Sequence, residues 1–574
     1  MLWQRARGAV KGIALLCLLV VVTTSCGGAP PTTGGGNSPG AASAPPRAID
    51  DFDPALAASD QVLKFAVASE PTTLDPTAVK ETSEVGHVML VFAPLMRFDK
   101  DLKVVPGVAE SFTVTDDGLT YTFKLRQGTT FSDGVPVKAQ HFVYAYRRLV
   151  DPRTVAPYAS KVDVIQGAEE LRKAPKDTAP AELDKLRGAL GVRATDDSTL
   201  VFKLRHPAAY FPATTALWYS VPIREELVAK AGEKWPTVET FIGNGPFILD
   251  RFEQQSRLVY RANPQYYLKP AKLSRVEIII QGDAATTFAA YRSGELHYRS
   301  VRGEDLRVVT GDPQLSQEVL RWPGTCTRYF VFNVKKAPFD NAKVRLAFAR
   351  AINRDAYIKD MERGTGRALT GLIPPGQPGY LENIPEASFD AEAAKKLLAE
   401  AGFSGGQGLP PITISYPSNV EFKVRMEWLA DQFKQNLGIE IKLDPVEAKV
   451  IQEALRRPET IPMFFLSGWC ADYPDPNNWL SFVFRSDSTV LRSGWSNAEF
   501  DRLTREADRE LDPAKRLELY NQAQKILVQD APAIFMHSSE NVLLKKPFVK
   551  NLRVNPLDQF PGVGEIEQVW IAKE

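Results

Sequence analysis

The sequence predicts a mixed α/β protein with more than one core, and three observations carry that reading. Strand-like alternation of apolar and polar residues at 119–126 and 199–205 is interspersed with helical periodicity at 390–402 and 512–532. A strand, helix, strand order across 412–443 implies a parallel sheet, because parallel neighbours need a crossover between them. The 574 residues exceed what one hydrophobic core holds.

Taken in order, the chain opens with Arg5, Arg7 and Lys11, an apolar run at 13–22, and the small residues Thr23, Thr24 and Ser25 before Cys26. That is the charge, apolar run and cleavage zone of a signal peptide at 1–25. About ten apolar residues are too few to cross a hydrocarbon layer of roughly 30 Å. Residues 26–60 begin rich in Gly, Pro, Ser, Ala and Thr, a composition that cannot bury enough apolar surface to fold, and they read as a tether.

In the body, the Asp116-Asp117-Gly118 turn leads into the strand at 119–126, and Asp196-Asp197 leads into the one at 199–205. Together they suggest a small β-rich subdomain at 93–217. Asp390 is placed to cap a helix through Ala393, Leu397 and Leu398, with Gly402 at its left-handed stop. Residues 412–416 and 439–443 read as strands around a helix at 424–437. Asp512-Pro513 opens another helix whose Leu517, Tyr520, Ile526 and Leu527 form a core face, with Pro532 beyond its end.

The stretch 466–476 places Asp472 among Trp469, Cys470 and Tyr473, and residues 473–478 read as a loop. An acid in such a turn commonly caps it. Held between two rings and shielded from water, it would instead pair with an ammonium group, since attraction grows as the local dielectric falls.

A net charge of +1 and the lack of a basic block give no basis for a nucleic-acid partner. Motifs for a nucleophile elbow, a zinc protease helix, a phosphate loop or a dinucleotide turn are missing, so no enzyme and no cofactor are expected. Asp472, Asp475 and Asn477 lack the glycine and distal glutamate of a calcium loop. His87, His141, His206, His297 and His537 show no metal-ligand spacing, and no metal site is expected. Cys17 and Cys26 belong to the export region. Cys326 and Cys470 remain, an even pair that an oxidising compartment favours as a bond, with metal binding the rival use of the thiols.

Residues 70–76, 107–111, 119–126, 131–139, 243–246, 338–345 and 351–354 together resemble blocks of the peptide-binding family of bacterial ABC-importer substrate-binding proteins, solute-binding family 5. The resemblance runs from about residue 63 to 570. His141 stands where that family usually has Asp. Gly468 to Tyr473 and Cys326 resemble the oligopeptide-binding branch.

The resemblance implies a two-lobed periplasmic-binding-protein-like α/β fold of class II, enlarged by an extra β-rich subdomain, with a hinge between the lobes. Lobe one would comprise 61–92, the subdomain 93–217, 218–325 and 540–574; lobe two would be 326–539. It implies an extracytoplasmic, monomeric protein capturing oligopeptides for an ABC permease in the cytoplasmic membrane; the alternatives are the same fold binding a dipeptide, murein peptide, haem or metal chelate, or a secreted peptidase. Cys26 directly after the small residues resembles the bacterial lipoprotein box, which implies a lipid anchor there. Asp472 would hold the peptide's α-ammonium, and Cys326 and Cys470 would be bonded. Gly468, Trp469 and Cys470, facing Lys80, Glu81 and Thr82, would pair with the peptide backbone, with Tyr473, Tyr158 and Arg457 completing the site. Where relatives carry cations for the peptide carboxylate, this chain has Leu466, Phe422 and Glu362. Arg456 and Arg457 are the candidate replacements, and the peptide's C-terminus is expected to be loosely held. An unpaired Asp472 in a dry cleft would be costly, so the empty protein is expected to stay open.

Overall fold

Alternate residues of one long strand divide the second half of the chain into two cores. In Val319–Phe332, Tyr329 and Val331 pack with Trp479, Phe484 and Tyr520. Phe330 and Phe332 pack on the other face with Phe348, Phe433 and Phe464. A period of two puts neighbours on opposite faces, and both faces of this sheet are covered by helices, so every second residue must be apolar on each. A further core gathers Leu63, Phe65, Tyr146, Phe202, Tyr219 and Ile278 from the first half, together with Leu543 and Ile571 from the C-terminal segment.

The structure is a computed structural model that describes residues 52–301, 304–455, 459–488, 490, 493–553, 557 and 563–573, all within the compact unit Ala41–Glu574. The expected signal peptide, Cys26, most of the tether, Arg456 and Arg457 lie outside the described residues. The last residues assigned to the tether are packed: Phe52 meets the Trp570 ring edge-on at 5.4 Å, and Ala57 bridges Ala572.

Among the described residues the main sheet has eleven strands. Its order is Ile441–Val446, Ile412–Pro417, Phe464–Cys470, Val319–Phe332, Ala533–Lys545, Tyr298–Ser300, Val62–Val67, Arg275–Ile280, Arg257–Ala262 and Phe247–Glu253, with Arg367–Ala368 paired to Ala533–Lys545 off that path. Two long antiparallel strands, Val319–Phe332 and Ala533–Lys545, therefore join the first-half and second-half cores. Their register breaks between Pro323 and Thr327. A Cβ on Gly324, inside that break, would lie 2.5 Å from Ser539 Oγ and 3.0 Å from the Ser539 carbonyl oxygen, so glycine eases the close approach of the strands there.

The expected β-α-β unit is Ile412–Pro417, helix Val420–Leu437 and Ile441–Val446, with the strands parallel. The strands of the subdomain lie side by side in a four-stranded sheet, Thr120–Leu125 pairing with Thr199–Lys203. Asp390 and Asp512 cap helices Ala391–Glu400 and Pro513–Asp530. Two readings need correction. Leu517 is 38% exposed and leaves the core stripe to Tyr520 and Leu527. Residues 473–478 are not all loop, because Asp475 caps a short helix, Pro476–Trp479.

Candidate functional site

The site grows from the end of strand Phe464–Cys470. On one side the strand pairs with Val319–Phe332, with Cys326 opposite Cys470, Thr327 opposite Trp469 and Arg328 opposite Gly468. On its other side, pairing with Ile412–Pro417 stops at Phe465. Leu466 to Cys470 therefore present a half-buried strand edge without a strand partner among the described residues. The two cysteines, opposite each other, form a disulfide across 144 positions of sequence, S–S 2.01 Å.

Just past the strand, Asn478 fixes the orientation of the acid. It is fully buried. Its Oδ1 accepts from the Asp472 backbone N–H at 3.0 Å and from Trp469 Nε1 at 3.2 Å, while its Nδ2 donates to Asp472 Oδ2 at 3.1 Å. Asn478 is held in turn by its short helix. The Asp475 cap takes two hydrogen bonds from Arg516, at 2.7 and 2.8 Å. Tyr473 donates to Asn477 Oδ1 at 2.5 Å, and Asn477, Ser481 and Tyr520 all donate to buried Asp508. Asp475, not Asp472, is the capping acid of this turn, which leaves the Asp472 carboxylate turned into the site.

That carboxylate is already paired. Lys161 Nζ donates to Asp472 Oδ2 at 2.5 Å, with the lysine side chain 1% exposed and the aspartate 11%. Four rings surround the ammonium: Phe482 with its centroid at 3.7 Å, Tyr158 at 5.3 Å, and Trp469 and Tyr473 at 5.4 Å each. The expectation of an unpaired Asp472 is thus overturned by a lysine 311 positions away in sequence. Burial pulls the Lys161 ammonium below its ordinary range, and the Asp472 charge and hydrogen bond oppose that pull. The same burial raises the Tyr158 hydroxyl, with the Asp472 charge adding to it. The geometry holds one cation, and the chain supplies it.

Tyr158 links this box to Lys80, donating to the Lys80 carbonyl at 3.1 Å. Lys80, Glu81 and Thr82 are exposed at the start of helix Thr82–Val91 and do not form a strand. The Lys80 and Glu81 amides both donate to Glu84 Oε2, at 2.9 and 3.1 Å. Their amide donors are therefore spent on the helix cap.

At the three positions where a carboxylate clamp was sought, the surroundings differ. Leu466 and Phe422 pack against an apolar core. Glu362 pairs with Arg425 at 3.1 Å and has His537 Nε2 at 3.7 Å. Burial raises the Glu362 carboxyl against the pull of Arg425, and lowers His537 to about 3. Sequence reasoning missed Lys161, Phe482 and Asn478. Nothing local marks Lys161, whose neighbours form a short helical turn, Ala159–Val162.

The family model for bacterial extracellular solute-binding proteins, family 5 middle, matches residues 103–489. The chain is 30% identical to the "Probable deoxycholate-binding periplasmic protein YgiS" of Escherichia coli K12, over 87% of this chain and 92% of that one. It is 28% identical to the oligopeptide-binding protein OppA of Bacillus subtilis 168, over 88% and 91%. The solved murein tripeptide binding protein MppA of Escherichia coli superposes with a TM-score of 0.77 at 26% identity, covering 90% of this chain and all of that one.

Proposed function

The chain belongs to the family 5 bacterial extracellular solute-binding proteins, two-lobed extracytoplasmic binding proteins of ABC importers, and from that membership we propose that it captures oligopeptides between its lobes and hands them to a membrane permease. The observation that carries the ligand reading is the bare strand edge from Leu466 to Cys470. A peptide added there gains main-chain hydrogen bonds regardless of its side chains, so many sequences bind. Relatives named for peptides support the same ligand class.

Lobe one is 61–325 with 540–574, and lobe two is 326–539. The register break at Pro323 and Thr327, opposite Glu540 and Ser538, supports a hinge at those boundaries. Cys26 carries the lipid that anchors the protein. The peptide's C-terminus is loosely held, since Leu466, Phe422 and Glu362 offer it no cation. A binding series from dipeptide to octapeptide shows tolerance of length, and a sharp optimum at three residues overturns this point.

The deciding experiment is mass spectrometry of small molecules released when natively purified protein is denatured. Peptides of mixed sequence support the reading, whereas a single non-peptide compound replaces it. Lys161 favours a second reading, an amphipathic ligand without an amine. One relative is named for deoxycholate, and titration with deoxycholate tests that case directly.

A further inference from the structure

The cation box at Asp472 contains everything an ammonium ion needs, and its occupant belongs to the protein. Asp472 Oδ2 accepts from both Lys161 and Asn478. The lysine head is enclosed by Tyr158, Trp469, Tyr473 and Phe482. A second cation brought to this carboxylate would meet Lys161 as a like charge. Expelling Lys161 would forfeit its ion pair and its contacts with the ring faces, which are strongest when desolvated. Leaving it in place costs a ligand nothing if that ligand has no positive end.

We infer that Lys161 is a specificity-determining residue: its side chain stands in for a ligand's α-ammonium, so that the cleft takes peptides without a free α-amine, N-acylated or N-terminally cyclised, at least as well as free-amine peptides. This rests on the peptide reading above and refines it. The strand edge still pairs with the backbone of such a ligand, while the charge at its first residue is no longer needed.

The test is calorimetric titration of the full chain with matched hexapeptides whose N-termini are either free or acetylated. In the wild type the acetylated member of each pair binds as tightly as the free one or tighter. Lys161→Met, which keeps the apolar stem and removes the charge, shifts the ratio of affinities by about tenfold or more toward the free amine. Lys161→Gln serves if the Met variant does not fold. A wild-type preference for the free amine of more than about threefold overturns the proposal, as does an unchanged ratio in both variants.

If no peptide of either kind binds, the peptide reading fails, and amine labelling then decides the role of Lys161 separately. Reductive methylation of the ligand-free full chain leaves Lys161 unmodified while Lys185, whose side chain is 77% exposed, reacts. Modification of Lys161 at the rate of Lys185 means that the box is not filled by this lysine, and the proposal falls.

Discussion

Lys161 and Asp472 show how much depends on two side chains. Each is buried, and breaking such a pair on one side strands a charge. Asp472→Asn is expected to lower stability by about 3–5 kcal/mol. Adding Lys161→Met to it should recover much of that loss, because removing both partners leaves no uncompensated charge. Urea unfolding of the two single variants and the double variant checks this; additive losses would mean that the two groups do not interact. Three histidines set a second residue-level expectation. Burial pushes His87 down to about 3, His297 to about 4 and His537 to about 3. The folded protein keeps them neutral where the unfolded chain, with its ordinary value of 6.5, takes up protons. Stability is therefore present above pH 6.5 and falls as pH drops from 6.5 toward 3 or 4, by up to about 1.4 kcal/mol per pH unit for each histidine. His87→Gln should flatten the pH dependence of the urea midpoint in that window by close to one proton.

Elements explain which motifs serve architecture and which serve the site. The block at 243–246 is architectural: Asn244 receives the Ala93 N–H at 3.0 Å and donates to the Ala93 carbonyl at 3.2 Å. A Cβ on Gly243 would lie 2.1 Å from the Val91 carbonyl oxygen, so Gly243→Ala should cost about 1–3 kcal/mol or more in thermal or urea unfolding. His141, at the third position of helix Ala139–Val150, accepts the Lys138 N–H on Nδ1 at 3.0 Å. It thereby helps to cap the start of that helix. The disulfide ties the site's strand to the strand that joins the cores. Removing it with Cys326→Ser and Cys470→Ser together should cost about 2–5 kcal/mol, read as a lower urea midpoint under oxidising conditions with no change on adding reductant. Helix caps, the β-α-β unit and the paired cysteines were legible because each depends on residues close in sequence or few in number. The length of the Pro476–Trp479 helix and the exposure of Leu517 were not, because they depend on what packs against them.

At the scale of the whole molecule, the ion pair joins a residue of the first-half subdomain to one in the second half of the chain, across the two long strands. The rings of Tyr210 and Tyr473 face each other at 6.3 Å over the same boundary, and Tyr473 is buried in the first-half core. With the proposed lobe boundaries these contacts join the two lobes, and the ligand-free protein is then expected to favour closure, in contrast to the open state expected for an unpaired acid. Small-angle scattering of ligand-free Asp472→Asn should show a larger radius of gyration than the wild type; identical curves would mean that the pair does not bias closure.

By itself the sequence determined the α/β class, the family and the position of the half-cystines, and it singled out Asp472 as the acid to follow. These follow from local periodicity, turn chemistry and motifs whose residues stand side by side. Only the tertiary structure decided what that acid touches. Lys161 carries no local signal, and its role comes from a pairing over 311 positions inside a ring of aromatics that folding alone assembles. A charge is defined by its surroundings as much as by its residue type, and those surroundings are a property of the packed chain.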